Sequence, residues 1–581
     1  MKILVRLLTL GLVIAMFGCD GLSGSSSPAV SGEPADLIFL GEHILTVDSG
    51  TDGATAVAVR DDTIVAVGDR SDVEGLIADA TRVVELGDRA LTPGFIDAHG
   101  HLAMAMAYAD LLNASSPPVG PMESVEDIVR ALRDRIEEQA IPAGGIVAGY
   151  GYDDSLLAEN RHPDRDDLDR ASTDHSIVLI HVSGHLATAN SKALELFGYR
   201  DGSPDPPGGV IRRRPGTQIP NGVLEETASS GPLYALLAGP ITPEDYARQV
   251  FAAIRYNTQY GITTIQDGAT SPQAVAGLRA LAAQRPLPVD VAAYVTGNAM
   301  EADLPIDSIG FTRTYENGVR IAGVKFVLDG SPQGRTAWLT EPYAEGPSGA
   351  DSDYVAYPIV DPEQYRFHAK RLIQAGIPII AHANGDAAID LMIDGVAGAI
   401  GDARPDHRSV TIHSQVTRKD QLDRMKELRI VPSFFASHCF FWGDWHRKSF
   451  GDDRALGISP LRSALERGID FTIHNDAPVV PPHIMRLLEA AVDRRTRSGF
   501  VLGEDERISV EQALHAVTLG AAYGYFEEDR KGSISVGKQA DLVVLAADPR
   551  EVPVEEISEV AVLETIARGQ TVYRAEAEGR L

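Results

Sequence analysis

Hydrophobic and polar positions change rhythm twice along the chain. Residues 36–92 hold short β-type runs such as Ala56-Val57-Ala58-Val59 and Thr63-Ile64-Val65-Ala66-Val67, cut by Asp and Gly, the texture of a small β unit. Residues 93–529 alternate apolar strand-like runs with amphipathic helical stretches, the pattern of a parallel α/β barrel. Its strands are expected to end near Asp97, Gln266, Tyr294, Val327, Ile380, Ile412, Phe434 and Ile473. Eight such strands predict a closed (β/α)8 TIM-like barrel with its chemistry at the C-terminal strand ends. From 530 to 581 the β texture returns, as in Ala540-Asp541-Leu542-Val543-Val544-Leu545. Neither terminal region has enough strands to bury a core alone, so both are expected to join in one composite β-sandwich.

Between the first and second barrel strands lie about 130 residues more than a βα connection needs, which predicts an inserted lid subdomain at about 110–245. It carries Gly149-Tyr150-Gly151-Tyr152-Asp153-Asp154 and His181-Val182-Ser183-Gly184-His185. Further on, Ser509-Val510-Glu511-Gln512 reads as a capping box opening a helix through Tyr525.

Composition narrows the class. With 44% hydrophobic and 23% charged residues in 581, the chain reads as a globular protein of several units, neither disordered nor an integral membrane protein. A formal charge of −30 speaks against nucleic acid as a partner, since that binding rests on Lys and Arg neutralising phosphates; a small-molecule substrate is expected instead. At the N-terminus, Lys2 and Arg6 precede an apolar run from Leu7 to Phe17 that is too short to span a bilayer. Met16-Phe17-Gly18-Cys19 resembles a bacterial lipobox, although Phe17 is untypical there. Residues 1–19 therefore read as a lipoprotein-type signal peptide with Cys19 lipidated, and 20–35 as a flexible tether. On that reading the mature chain sits in the bacterial cell envelope, on the membrane by its lipid anchor only, facing the periplasm or the outside; simple secretion is the alternative. An acylated Cys19 leaves Cys439 without a disulfide partner.

The densest chemistry is Pro93-Gly94-Phe95-Ile96-Asp97-Ala98-His99-Gly100-His101. Side chains alternate along a strand, so His99 and His101 project the same way and can share a metal; two buried histidines satisfied by carbonyls are the bland alternative. Polar residues recur at the later strand ends: Asp267, Lys325 with Asp329, His382, His413 and Asp476.

Together with HLATANSKALELFG, PPGGVIRR, GITTIQD, VKFVLDGSPQGRTAWLTEPY, AHANGDAAID, IHSQ, HNDAPV and KGSISVGKQADLVVL, these segments resemble the amidohydrolase superfamily, in its branch of N-substituted formamide deformylase and YtcJ-type hydrolases. The resemblance implies a metal-dependent hydrolase with a binuclear centre, usually zinc, at the barrel mouth. It places His99 and His101 on the buried ion, His382 and His413 on the more exposed one, and Asp476 as ligand and proton acceptor. It also implies that Lys325 becomes a carbamate bridging both ions; an ordinary ion pair with Asp329 or Asp267, leaving one metal, is the alternative. The implied reaction is cleavage of an amide-type C–N bond in an N-acyl or N-formyl amine by a metal-bound hydroxide. A lipid-anchored binding or regulatory protein on an inactive scaffold is the rival.

Relatives often show Glu-His at the sixth strand and Gly-Ser-Asp at the eighth, where this chain has Ile412-His413 and His474-Asn475-Asp476. His474 is read first as filling the barrel and second as orienting substrate. Trp338, Trp442 and Trp445 lie in loops after barrel strands and, with His185 from the lid, are expected to line the substrate pocket; gluing the lid onto the barrel is an equal alternative for the rings. Asp97 reads as a support for the ligands, and Cys439 as an apolar filler.

Overall fold

The computed structural model describes residues 32–230, 241–298, 300–401 and 405–575. The segment expected to be a signal peptide, with Cys19, lies outside the described residues.

The barrel strands are β1 (Phe95–Ile96), β2 (Ile262–Thr270), β3 (Asp290–Thr296), β4 (Val319–Val327), β5 (Ile379–Ala383), β6 (Val410–His413), β7 (Val431–Phe434) and β8 (Thr472–Ile473). Neighbours pair in parallel in this order. The sheet closes where Gly100 bridges Ala477: His101 N donates to Ala477 O at 2.7 Å and Asp476 N to His99 O at 3.2 Å. Closure thus lays the His-x-His segment directly against Asp476.

The strands read as nearly continuous apolar runs because both faces are covered. Phe95, Ile265, Val291, Ala293, Val324, Phe326 and Ile379 pack outward on helix residues such as Val250, Ile254, Leu372 and Ile389. Ile96, Ala292, Tyr294, Ala322, Ile380 and Ile412 form a separate cluster with Tyr525, which fills the barrel interior; β4 passes through a register shift at Ala322. Three strands run two or more residues past their expected ends, β3 reaching Thr296. β2 continues past Gln266 to Thr270 through a register shift after Asp267, and β5 includes His382 rather than stopping before it.

The Ser509 capping box is present. The helix expected to run through Tyr525 is broken instead into Val510–Ala516 and Leu519–Gly524. Val517 O accepts from Ile96 N of β1 at 2.9 Å, so this carbonyl is withdrawn from the helical ladder and the turn opens at Thr518.

The insertion builds a six-stranded sheet in the order 209–213, 220–226, 186–189, 176–181, 146–152, 112–113. The terminal regions supply two four-stranded sheets: strands 63–68, 56–60, 37–40 and 82–85 in one, and 570–574, 562–567, 542–545 and 90–93 in the other. Leu37, Phe39, Val57 and Leu91 bury against Ile534, Leu542, Val544 and Ile566, so the sandwich is composite. No described helix is long and apolar enough to cross a membrane.

Candidate metal centre

The site is built where β1 and β8 meet. His99 is fully buried and its Nδ1 lies 2.5 Å from Gln266 Oε1, while Gln266 Nε2 donates to Ala98 O at 2.9 Å. The amide oxygen can only accept, so His99 carries its proton on Nδ1 and keeps a lone pair on Nε2. That Nε2 is 2.9 Å from Lys325 Nζ and 3.5 Å from Asp476 Oδ1. His101 Nε2 lies 3.2 Å from the same oxygen.

On the other side, His382 Nε2 is 3.1 Å from Gly330 O. The Asn384 amide nitrogen is 3.0 Å from the same Nε2 and donates to the same carbonyl; in the tautomer whose Nε2–H also donates there, Nδ1 is bare. This Nδ1 lies 3.0 Å from His413 Nε2. His413 Nδ1 is in turn 3.1 Å from His474 Nε2, and His474 Nδ1 is 2.8 Å from Ser433 Oγ. Running the protons outward along this chain, His413 to His474 to Ser433, leaves His413 Nε2 bare as well. In that pair of tautomers two lone pairs face each other at hydrogen-bond distance, and a cation between them would remove the repulsion.

Asp476 completes the donor set. Its buried Oδ1 faces His101 Nε2 and His99 Nε2, and its Oδ2 is 4.0 Å from His413 Nε2. Donor atoms of His99, His413 and Asp476 lie within 4.8 Å of one another. The residues therefore fit a divalent cation of the zinc class: neutral imidazoles with a carboxylate, ordered by outer hydrogen bonds.

Backbone strain marks the same place. His413, Ser414 and Asp476 have φ of 72°, 48° and 56°, the left-handed region that side chains other than glycine rarely adopt. Two glycines are sterically required. A Cβ on Gly100 would stand 2.4 Å from Asp97 Oδ2, and one on Gly268 would stand 2.6 Å from His99 Cε1.

Burial sets the charges. It pushes the Lys325 amine down to about 7, against the pull of Asp476, and holds the His99, His382 and His413 imidazoles well below their ordinary range. Burial also raises the Asp476 carboxyl, but His101, His474 and Lys325 outweigh it and leave the group low. Asp97 and Asp329 are each pushed up to about 7 by burial. Asp329 accepts from the backbone N–H of Trp338, Asn384 and Gly385, and Asp267 from that of Ala103. Both carboxylates proposed as Lys325 partners are thus engaged by backbone.

His185 comes over the mouth from the insertion. Its ring centroid is 4.6 Å from that of His382, and its Nδ1 is 2.7 Å from Glu226 Oε2. His474, expected chiefly to fill the barrel, instead holds His413. The tryptophans lie further out: Trp442 is 2% exposed and donates to Asp153 Oδ2 at 2.7 Å. Trp445 donates to Gln333 O at 3.1 Å beneath Arg335, and Trp338 is half-buried against the barrel core. Cys439 is buried among Leu339, Tyr343 and Phe450.

Sequence reasoning missed Gln266, Ser433 and Glu226. The signal for Gln266 was its place at a strand end beside Asp267, where strand alternation decides which of the two turns inward. For Glu226 no sequence signal distinguishes it from other carboxylates of the insertion.

The family model "Amidohydrolase family" matches residues 82–573. The chain belongs to the amidohydrolase family. As an amidohydrolase it is a metal-dependent hydrolase. It is 27% identical to an N-substituted formamide deformylase of Arthrobacter pascens, over 93% of this chain and 98% of that protein. It is 25% identical to the putative amidohydrolase YtcJ of Bacillus subtilis, over 92% and 99%. An uncharacterized metal-dependent hydrolase of Pyrococcus horikoshii has the same fold, with a TM-score of 0.69 at 22% identity over 89% of this chain and 99% of that one.

Proposed function

We propose that this amidohydrolase cleaves an amide-type C–N bond in an N-acyl or N-formyl amine, and that His99, His101, His382, His413, Asp476 and Lys325 as its carbamate would hold two zinc-class ions. The observation that carries the reading is the convergence of buried His99, His413 and Asp476 donor atoms within 4.8 Å of one another, with His382 Nδ1 3.0 Å from His413 Nε2 and His101 Nε2 3.2 Å from Asp476 Oδ1. Such ions, when bound, polarise a carbonyl as Lewis acids and make water nucleophilic near neutral pH. Lys325, neutral in good part at pH 7 because of its burial, adds through its lone pair to carbon dioxide and releases one proton. The Asp476 carboxylate accepts the proton of the attacking water and hands it to the leaving nitrogen, which cannot depart as an anion. His185, braced on Nδ1 by Glu226, orients the substrate over His382. The relative named as a formamide deformylase supports the choice of bond.

The test is metal analysis together with turnover of a panel of N-acyl and N-formyl amines. Asp476→Asn should lower kcat by about 10²–10⁴. A chain that binds these amines without turning them over, and that carries no zinc-class metal, overturns the reading in favour of a binding or regulatory role. We also propose lipid anchoring through Cys19 at the cell envelope. Radiolabelled palmitate should enter the wild-type chain and not Cys19→Ser.

A further inference from the structure

Outside the barrel mouth, the insertion gathers a second set of donors at the C-terminal ends of two adjacent parallel strands, Ile146–Tyr152 and Ser176–His181. Asp154 follows the first strand, His181 ends the second, and His162 comes from the loop between them. Asp154 and His181 are 7% and 1% exposed. His181 Nε2 lies 3.0 Å from Asp154 Oδ1 and His162 Nε2 3.6 Å from Asp154 Oδ2. One donor atom from each of the three residues lies within 4.8 Å of the others.

We propose that Asp154, His162 and His181 hold one further zinc-class divalent cation, and that this cation locks the 181–185 loop that brings His185 to the barrel mouth. Ligand atoms on a tetrahedral ion with bonds of about 2.0–2.2 Å stand roughly 3.3–3.6 Å apart, which matches the His162–Asp154 separation. A hydrogen bond does not account for that separation, since 3.6 Å is beyond its reach. Both rings turn Nε2 to the same carboxylate and keep Nδ1 for an outer partner. His162 Nδ1 is 3.1 Å from Tyr152 OH, itself 2.9 Å from Thr188 Oγ1, and His181 Nδ1 is 2.8 Å from Ser183 Oγ. Metal-bound histidines are oriented in this way.

The charge balance points in the same direction. The guanidiniums whose charge reaches this cluster, Arg212 and Arg335, are paired with Glu225 and Glu345. Asp153 accepts from Ser155 and Trp442, which leaves Asp154 as the buried carboxylate that a cation between the two rings would neutralise. With three protein ligands, the fourth position falls to water. The mechanical link to the mouth is short: Ser183 Oγ, beside His181 Nδ1, accepts from His185 N at 3.2 Å. The competing arrangement is a plain hydrogen bond from His181 Nε2–H to Asp154, with Ser183 N–H, 3.3 Å away, capping Nδ1.

Crystals of the dialysed, zinc-loaded chain, measured at the zinc edge, decide between them. An anomalous peak between Asp154, His162 and His181 is expected, and it should persist in His413→Ala, whose barrel peaks weaken. No peak there in the wild type overturns the proposal, whatever the barrel shows. In solution, His162→Gln and Asp154→Asn should each carry about one metal fewer per chain than wild type. Asp154→Asn keeps an oxygen that can accept from His181, so the plain hydrogen-bonded arrangement predicts equal metal content. Zinc should also slow hydrogen exchange of the 181–185 amides in wild type and not in His162→Gln; unchanged exchange in a chain that shows the peak overturns the locking role.

Discussion

The Trp442 indole reaches across the barrel mouth to Asp153 of the insertion, donating at 2.7 Å to a carboxylate that is itself buried. Phe441, Val479 and Val480 pack around the same ring. The helix after β7 and the insertion are thereby fastened together. Trp442→Phe keeps the packing and removes one donor from a buried carboxylate, which costs about 1–3 kcal/mol. Thermal unfolding should shift down accordingly, with KM for aryl and for small amides changing alike. A rise in KM confined to aryl substrates would return Trp442 to the pocket wall.

His474 Nε2 lies 3.1 Å from His413 Nδ1, so on the proposed reading it acts on the metal through His413. Replacing it by Ala removes the group on His413 Nδ1, so metal affinity should fall about 10–100-fold, read by competition with a chelator. His474→Gln, whose amide oxygen can accept from His413 Nδ1, should recover part of the loss. A purely space-filling residue would lower stability without moving the affinity.

The proposed Lys325 carbamate would make reconstitution of the metal-free chain depend on dissolved carbon dioxide. Reconstitution with zinc in degassed buffer should return little activity, and added bicarbonate should restore it. Lys325→Glu supplies a carboxylate directly, so its residual activity should be indifferent to bicarbonate. Equal reconstitution of the wild type with and without bicarbonate would remove the carbamate.

Arg82 and Glu564 join the two sheets of the sandwich through paired bonds of 2.8 and 2.6 Å. Burial raises the Glu564 carboxyl, but Arg82, Thr571 and Arg574 outweigh it and bring the group from 4.5 to about 2. A folded-state pKa below the unfolded one contributes stability that is full above about 4.5 and lost as pH falls towards 2. The Tm difference between wild type and Glu564→Gln should therefore be largest near neutral pH and shrink through that window. A difference that is constant from pH 7 to 2 would mean the pair contributes nothing ionic.

The barrel was legible because its strands are buried on both faces and end in conspicuous polar groups; His99, His382, His413 and Asp476 stand out for that reason. What lay beyond reach was set by direction rather than by type. Whether His474 fills space or holds His413 depends on where Ser433 stands on the neighbouring strand. Trp442 reads equally as pocket wall or as glue until Asp153 is placed beside it. The break at Thr518 could not be anticipated, because the group that captures the Val517 carbonyl, Ile96 N, belongs to a strand more than four hundred residues earlier.

The composite sandwich constrains how the protein is made. Strand 90–93 finds its neighbour, 542–545, only near the end of translation, so the apolar faces of Leu37, Phe39 and Val57 stay uncovered while nearly the whole chain leaves the ribosome. Such exposure invites aggregation and chaperone capture. A premature stop before residue 542 should therefore harm the first-made segment as much as the last, sending the nascent product to proteolysis even though every ligand of the barrel has already been synthesised.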